Sequence, residues 1–306
     1  MDRIPIPFSA QIEITEGCQN RCIFCGIHSI RGKKHIYKFM TLELAKQIAQ
    51  DLNRWMPQGR RIEFALQGEP TLNPNTEMII LAFRKYYPKS QLMMNTNGIA
   101  LHKNDKIDHD MLNRYFGAGL NYLLIDVYDN SYKWWVKNLK QSRHPVEEYH
   151  KGFNVYKYIG PKKTAIVLMD NYSTDAWGKT VTRNINNQAG NMPIAVQKKY
   201  GVYITEPLKK NCSNVHREIV VKHDGVVPAG CMDWRRQLII GKFPDKSLKQ
   251  IWESDKFQAV RQMLYNKDRA FAPCNVCSYS GYKLGLIKDP GVNKSREELL
   301  KIIEDE

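Results

Sequence analysis

The chain has 306 residues, 42% of them hydrophobic, and its 46 lysines and arginines outnumber its 31 acidic residues to give a formal charge of +15. This length predicts one large globular domain, alone or with a smaller one. No apolar run is long enough to cross a membrane and the first ten residues lack the layout of a signal peptide, so we expect a cytoplasmic protein with no membrane partner. Seven cysteines in that reducing compartment favour metal binding or chemistry over disulfides.

Strand and helix patterns alternate through the first half of the chain. The predicted elements are a strand at 12–15, a helix at 41–55 with Thr41 as its N-cap, a strand at 61–66, a helix at 76–87, a strand at 91–98, a helix at 108–119, a strand at 121–129, a helix at 131–139 and a strand at 164–170. This alternation predicts a parallel sheet with helices outside it.

The pattern changes in the last third of the chain. Two apolar segments flank Asp224-Gly225, which predicts a β-hairpin. Ser247 and Gln250 have the spacing of a capping box and predict one amphipathic helix across 247–264. We therefore expect three units, which are a large one at 1–195, a smaller one at 196–290 and a C-terminal acidic helix at 291–306.

Three cysteines follow the first predicted strand with the spacing C-x3-C-x2-C: Cys18, Cys22 and Cys25. The carboxyl ends of parallel strands are where such folds place active sites. Structural zinc would need a fourth ligand, and the next cysteine is Cys212. Three thiolates can instead hold three irons of a 4Fe–4S cluster and leave the fourth iron open for a small ligand. An open iron predicts catalysis.

This spacing, with the aromatic Phe24 before the third cysteine, resembles the hallmark of the radical S-adenosylmethionine (radical SAM) superfamily. Three further segments resemble the family's motifs in the same order: LQGEP at 66–70, with Gln67 in place of a glycine, NTNG at 95–98 and LIDVYD at 124–129. The resemblance implies a partial (β/α)6 TIM-like barrel, a 4Fe–4S cluster on the three cysteines and S-adenosyl-L-methionine (SAM) as cofactor. It also implies that SAM is cleaved reductively to a 5′-deoxyadenosyl radical, which abstracts a hydrogen atom from the substrate.

The same resemblance implies SAM contacts at six residues: Phe24, Gly68, Glu69, Pro70, Asn97 and Asp126. Glu69 would accept from the ammonium group of the methionine moiety, which charge-assisted hydrogen bonding favours. Phe24 would lie against adenine, and Asn97 and Asp126 would contact the nucleoside, while the glycine and proline form a tight turn. Ordinary roles stay open for these residues, in the core for the aromatic ring and in turns or strand ends for the polar groups.

The other four cysteines have the spacing C-x18-C-x42-C-x2-C: Cys212, Cys231, Cys274 and Cys277. Four thiolates can fully ligate an auxiliary 4Fe–4S cluster, and they can also hold a structural zinc ion. The predicted hairpin and helix around them resemble the SPASM/twitch extension of radical SAM enzymes. Because the full SPASM form has more cysteines, the resemblance implies the shorter twitch type with one auxiliary cluster, which passes electrons or braces the fold.

These motifs establish how the reaction starts but do not name its substrate. The basic charge, with aromatic residues between lysines and arginines at 35–39, 132–140 and 149–163, favours DNA, although core packing stays open for Trp134 and Trp135. The leading hypothesis is a phage thymidine-hypermodification isomerase acting on a base such as glycyl-thymidine, in which case the compartment is the host cytoplasm.

Three alternatives to the DNA hypothesis stay open. Two are enzymes of the same SPASM/twitch group, a peptide-modifying maturase and a small-molecule dehydrogenase. The third is an iron–sulfur electron carrier or nucleic-acid-binding module without enzymatic activity. For the enzymes, the resemblance implies flavodoxin or ferredoxin as the electron donor, and the sequence predicts no oligomeric state.

Overall fold

A computed structural model of the protein describes residues 5–31, 36–140, 146–150, 155–160, 164–170, 185–281, 287 and 289–305. The strands are β1 (Ser9–Ile12), β2 (Thr15–Glu16), β3 (Lys38–Phe39), β4 (Arg61–Phe64), β5 (Gln91–Thr96), β6 (His102–Lys103), β7 (Lys106–Ile107), β8 (Tyr122–Val127), β9 (Val146–His150), β10 (Val155–Gly160), β11 (Thr164–Asp170), β12 (Glu218–Val221), β13 (Val226–Pro228) and β14 (Ile239–Lys242). The helices are α1 (Ile27–Arg31), α2 (Leu42–Asn53), α3 (Thr76–Tyr86), α4 (His109–Gly117), α5 (Tyr132–Lys140), α6 (Ile194–Lys199), α7 (Asn214–Arg217), α8 (Leu248–Glu253), α9 (Asp255–Tyr265) and α10 (Arg296–Glu304). Within these ranges, no helix has both the length and the apolar character needed to span a bilayer.

Six parallel strands form the main sheet in the order β12-β1-β4-β5-β8-β11. Two antiparallel strands, β10 and β9, continue it beyond β11. The helices α2, α3 and α4 connect successive parallel strands, as the alternating sequence pattern predicts. The predicted α/β partial barrel is therefore confirmed.

The side chains of the first two long parallel strands, β1 and β4, alternate between an apolar face and a polar one. On β1 and β4, the side chains of Ala10, Ile12, Ile62 and Phe64 are fully buried in the core. Because successive side chains in a strand point to opposite faces, the intervening polar residues lie on the inner face of the barrel. The helices thus cover an apolar face, and β1 and β4 contribute polar side chains to the barrel interior.

Helix α2 begins where its sequence predicts. The backbone N–H of Leu44 donates to Thr41 Oγ1 at 3.2 Å, so Thr41 is the N-cap. The buried residues on α2 include Ala45, Ile48 and Leu52, at helical spacing. This apolar stripe packs against the sheet and against α3.

The predicted hairpin at Asp224-Gly225 is wrong in its strand pairing. The turn itself is present, since Gly225 has a positive φ of 84° and its N–H donates to the carbonyl of Lys222 at 2.9 Å. However, β12 pairs in parallel with β1, and β13 pairs with β14. The reason is burial: all four residues of β12 are buried, as in a parallel strand covered on both faces. The unit boundaries at 195 and 290 stay predictions, and β12 shows that the main sheet draws on residues beyond 195.

The predicted helix at 247–264 is in fact two helices, α8 and α9. The capping box is confirmed, because Gln250 N donates to Ser247 Oγ at 3.2 Å and Ser247 N donates to Gln250 Oε1 at 2.9 Å. Ser254 breaks the helix with an extended ψ of 149°, and its hydroxyl accepts from Phe257 N at 3.3 Å to cap the second helix. The predicted C-terminal helix is present as α10.

A buried ionic network links the end of β12 to the segment that follows β1. Lys222 is completely buried, and its Nζ lies 2.6 Å from Gln67 Oε1, 3.5 Å from Glu13 Oε1 and 3.8 Å from Glu16 Oε2. Ligand atoms of Glu13, Glu16 and His223 lie within 4.8 Å of one another, a grouping that could hold a metal ion. Two cations balance the two acids instead: Lys222 contacts both carboxylates, and Arg236 Nη2 lies 3.3 Å from Glu16 Oε2. These contacts anchor the chain just before Cys18.

We expect Lys222→Met to destabilise the protein by about 3 to 5 kcal/mol, because it removes the lysine cation from the fully buried Glu13. The matched control is Lys38→Met. Lys38 also pairs with Glu16, at 3.4 Å, but its side chain is 55% exposed, so its loss should cost about 1 kcal/mol or less. Urea unfolding curves measure both effects. Equal shifts in the two midpoints would contradict a structural role for the buried network.

Candidate active site

A cavity of about 320 Å³ lies on the inner face of the barrel between the two cysteine groups. Cys18, Cys22 and Cys25 line it, together with Cys231 of the second group. Five of the six predicted SAM contacts also line it: Phe24, Gly68, Glu69, Asn97 and Asp126. The sixth, Pro70, is buried at the start of the short turn behind Glu69. The structure thus brings residues from distant parts of the sequence around one space.

The cysteine loop is held against the segment that carries Glu69 by backbone contacts. Gly17 N donates to the carbonyl of Gln67 at 3.2 Å, and Glu69 N donates to the carbonyl of Gly17 at 2.9 Å. A Cβ added to Gly68 would lie 2.1 Å from the carbonyl oxygen of Thr15. Only glycine permits this approach. The contact therefore determines how close Cys18 lies to Glu69.

The three thiols of the loop have the character of metal ligands. Burial raises the pKa of Cys18 to about 11 and that of Cys22 to about 12. Two N–H groups nevertheless donate to Cys18 Sγ, from Asn20 N at 3.3 Å and Asn97 Nδ2 at 3.2 Å. Thiolates in such a site need a cation, which iron supplies when it displaces the protons. The donor set fits three corners of a 4Fe–4S cluster.

Glu69 is buried, not a solvent-facing turn residue. Its Oε1 accepts from Thr71 N at 3.1 Å, Thr71 Oγ1 at 2.5 Å and Thr96 Oγ1 at 2.6 Å, and its Oε2 accepts from Asn97 N at 2.8 Å. Burial still raises the pKa of the carboxyl. These bonds tie the turn after Glu69 to the end of β5 and hold the carboxylate rigidly at the cavity wall, where it could accept from an ammonium group.

Phe24 and Tyr128 form an aromatic wall of the cavity. Their ring centroids are 5.3 Å apart with an interplanar angle of 56°. Burial, with a further contribution from Asp126, raises the pKa of Tyr128, so its hydroxyl stays protonated. Phe24 therefore lines the cavity, where a flat ligand ring could pack against it.

The side chain of Asn97 contacts the cysteine loop. Its Nδ2 donates to Cys18 Sγ, while its Oδ1 accepts from Ile99 N at 3.0 Å and from Gln19 Nε2 at 3.5 Å. Its role as a SAM contact stays a prediction. Its observed role is to orient a thiol.

The second cysteine group surrounds a smaller cavity of about 40 Å³: Cys212, Cys231, Cys274 and Cys277. Burial raises the pKa of each thiol, that of Cys277 to about 11. Arg269 is 2% exposed, and its guanidinium donates to the carbonyls of Lys210, Asn211, Cys277 and Tyr279. A buried cation beside four thiols suits the negative charge of a fully ligated cluster.

Further polar residues line the main cavity that the sequence motifs did not reveal: Gln11, Arg61, Glu63, Asn214 and Glu218. Glu63 is 7% exposed, and its Oε2 lies 3.5 Å from Arg61 Nη2. Burial raises the pKa of Glu63 to about 7, with Glu218 adding to the shift. Polar residues at alternate positions of apolar strands, as in SAQI and RIEF, were the available signal.

This arrangement of a partial parallel barrel with two cysteine sites defines the class of protein. Residues 12–183 match the radical SAM superfamily, and residues 212–278 match SPASM, an iron-sulfur cluster-binding domain. The chain belongs to the radical SAM superfamily. It is therefore an enzyme that uses SAM, a SAM-binding 4Fe–4S cluster and auxiliary iron–sulfur ligation, and the donor sets described above fit these groups.

Similar proteins cover almost the whole chain. A curated relative from Niallia circulans, the S-adenosyl-L-methionine-dependent 2-deoxy-scyllo-inosamine dehydrogenase, is 22% identical over 271 residues, which are 88% of this chain and 91% of the relative. The crystal structure of BtrN in complex with AdoMet and 2-DOIA has a TM-score of 0.68 at 18% identity and covers 94% of this chain and 99% of that one. BtrN in an open conformation has a TM-score of 0.57, also at 18% identity, with 90% and 92% covered. These structures confirm the fold.

Metal analysis tests the two cysteine groups separately. Anaerobically reconstituted protein should hold about eight irons per chain if both groups carry 4Fe–4S clusters. Alanine at Cys18, Cys22 and Cys25 together, or at Cys274 and Cys277 together, should reduce this to about four. Stoichiometric zinc that disappears with the second pair would contradict an auxiliary iron–sulfur cluster and assign that site to structural zinc.

The raised pKa of Glu63 predicts a pH-dependent stability difference. A carboxyl whose pKa is raised from 4.5 to about 7 on folding contributes stability below pH 4.5 that is lost as pH rises through 7. The free energy of unfolding of Glu63→Gln, measured relative to that of wild type, should therefore rise by about 2 to 3 kcal/mol between pH 5 and pH 8. Anaerobic urea unfolding of the cluster-loaded proteins measures this, with Glu43→Gln on the exposed face of α2 as the control. A difference that does not change with pH would show that Glu63 is not buried as described.

Proposed function

We propose that this radical SAM enzyme is an oxidoreductase that dehydrogenates a small hydroxylated molecule. In this proposal Cys18, Cys22 and Cys25 hold the SAM-binding cluster, and the four later cysteines hold one auxiliary cluster. When bound, the reduced cluster and SAM supply the 5′-deoxyadenosyl radical that takes a hydrogen atom from the substrate. The residues of this chain position SAM and the substrate around that chemistry.

The observation that carries the proposal is the shared cavity. The three cysteines of the first group line it, and so does Cys231 of the second group. A substrate held there lies between a site for hydrogen abstraction and a site that can take up an electron. Dehydrogenation needs both, whereas isomerisation is redox-neutral.

The relative from Niallia circulans supports the same proposal, because its name describes the dehydrogenation of a small cyclic molecule and the similarity extends across most of both chains. None of the comparisons supports DNA as the substrate or isomerisation as the reaction. The segments 35–39 and 149–163, two of the three that motivated the DNA hypothesis, lie partly outside the described residues. The small-molecule alternative therefore becomes the leading one.

Different residues around the cavity would position different parts of SAM. The rigid carboxylate of Glu69 would orient the ammonium group of SAM, and the wall of Phe24 and Tyr128 would hold the adenine ring. Asp126, at the inner face of β8, would accept from the ribose hydroxyls. Trp135 is buried in the core, consistent with the packing role left open for it. A flavodoxin or ferredoxin would supply the electron, and the +15 charge of the chain favours such an acidic partner.

Turnover of small polyols tests the proposal. Cluster-loaded enzyme with SAM and reductant should convert a cyclitol to its ketone and form 5′-deoxyadenosine in equal amount. Deuterium placed on the oxidised carbon should appear in 5′-deoxyadenosine, because the radical removes that atom. Duplex DNA added at low salt should leave the rate unchanged. Formation of 5′-deoxyadenosine that depends on DNA or a peptide, and on no polyol, would overturn the proposal.

A further inference from the structure

The main cavity is acidic although the chain is strongly basic. Four carboxylates line it, from Glu63, Glu69, Asp126 and Glu218, and the cation among its described lining residues is Arg61. The chain as a whole carries a formal charge of +15. A cavity of one sign inside a protein of the opposite sign concentrates ligands of complementary charge. This cavity therefore favours cations and disfavours phosphate groups.

Unpartnered polar atoms are concentrated in the same cavity. Of the ten buried side-chain atoms without a hydrogen-bond partner among the described residues, five belong to residues that line it: Gln11 Oε1, Arg61 Nε, Gln67 Nε2, Asn95 Oδ1 and Asn214 Oδ1. Buried polar groups in native proteins are nearly always hydrogen-bonded. A ligand with several hydroxyl groups, each both donor and acceptor, could satisfy this mixed set.

Glu63 is a lining carboxylate with capacity left for a ligand. Glu69 accepts four hydrogen bonds, and both oxygens of Glu218 accept one, from Ser9 Oγ at 3.0 Å and Asn214 Nδ2 at 3.2 Å. Glu63 accepts a hydrogen bond from the Gln11 side chain, and its ion pair with Arg61, at 3.5 Å, is longer than the 2.7–2.9 Å of a strong charge-assisted bond. It lies opposite Gln11 in the register of β1 and β4, on the inner face of the barrel.

The charged groups around Glu63 also favour a bound cation. Glu218 and Asp126 both raise its pKa by repulsion, in addition to the larger effect of burial. Three carboxylates that share a buried space with one arginine repel one another, and a bound cation relieves that repulsion. Even with Glu69 assigned to the ammonium group of SAM, the other lining acids outnumber Arg61.

We infer that the substrate of this enzyme carries a protonated amine beside its hydroxyl groups and that Glu63 binds the ammonium group. The inference rests on the proposed function, which gives only a small hydroxylated substrate. It makes Glu63 the specificity-determining residue, with the unpartnered amide oxygens of Gln11 and Asn95 placed to accept from hydroxyl groups. An amino-polyol would thus bind better than the corresponding neutral polyol.

Paired ligands test the inference. The amine is 2-deoxy-scyllo-inosamine, and its neutral partner has a hydroxyl group in place of the amine. Isothermal titration of each into cluster-loaded, SAM-bound enzyme without reductant gives a ratio of dissociation constants. The amine should bind wild type about tenfold or more tightly than the neutral analogue, as expected for a charge-assisted hydrogen bond in a buried site. The isosteric variant Glu63→Gln should bring this ratio to within about threefold.

Control variants distinguish recognition of the amine by Glu63 from a general effect of the substitution on the structure. Glu63→Asp keeps the charge and should retain part of the preference, while the exposed variant Glu43→Gln should retain all of it. Iron content and SAM affinity should be unchanged in all variants. A wild-type ratio near one, no measurable binding of the amine, or an unchanged ratio in Glu63→Gln overturns the inference. Oxidation of the neutral polyol by wild type in those cases would leave the proposed function standing, so the two failures are distinguishable.

Discussion

The close approach of Gly68 to the backbone of Thr15 and Gly17 is the constraint on which the site depends. It joins the loop after β1 to the turn after β4, so three thiols and a buried carboxylate occupy one wall of one cavity. The glycine is required because any side chain would collide with a carbonyl oxygen. Behind this contact, the buried Lys222 holds the same loop through Gln67 and two glutamates.

The barrel separates two environments along single strands. On β1 and β4, the residues that face the helices are apolar and fully buried, while Gln11, Arg61 and Glu63 on the opposite face line the cavity. Such a polar interior costs free energy unless its groups find partners. Several of them have no partner within the protein, which is the physical basis for expecting a polar ligand inside the barrel. That interior is acidic although the whole chain is basic, and so a polar ligand that also carries a positive charge is favoured.

The net charge of the sequence favours DNA as the substrate, but the fold shows that the charge is unevenly distributed. The total of +15 favours a polyanionic partner when only composition is known. The structure shows that charge is distributed unevenly, with carboxylates turned into the cavity, so the same excess of lysine and arginine says little about the substrate. The basic exterior remains suited to an acidic electron donor, which acts from outside.

The sequence alone determined the cysteine motif, the parallel α/β fold, the caps of α2 and α8 and the order of the segments that resemble the family's motifs, because each depends on neighbouring residues or on local periodicity. Only the tertiary structure decided that β12 joins β1 and that Glu63 and Glu218 lie in the same cavity as Cys18. These facts depend on pairing between residues far apart in the chain. Local patterns carry no information on such pairing, since burial and charge at a site are sums over neighbours that only folding brings together.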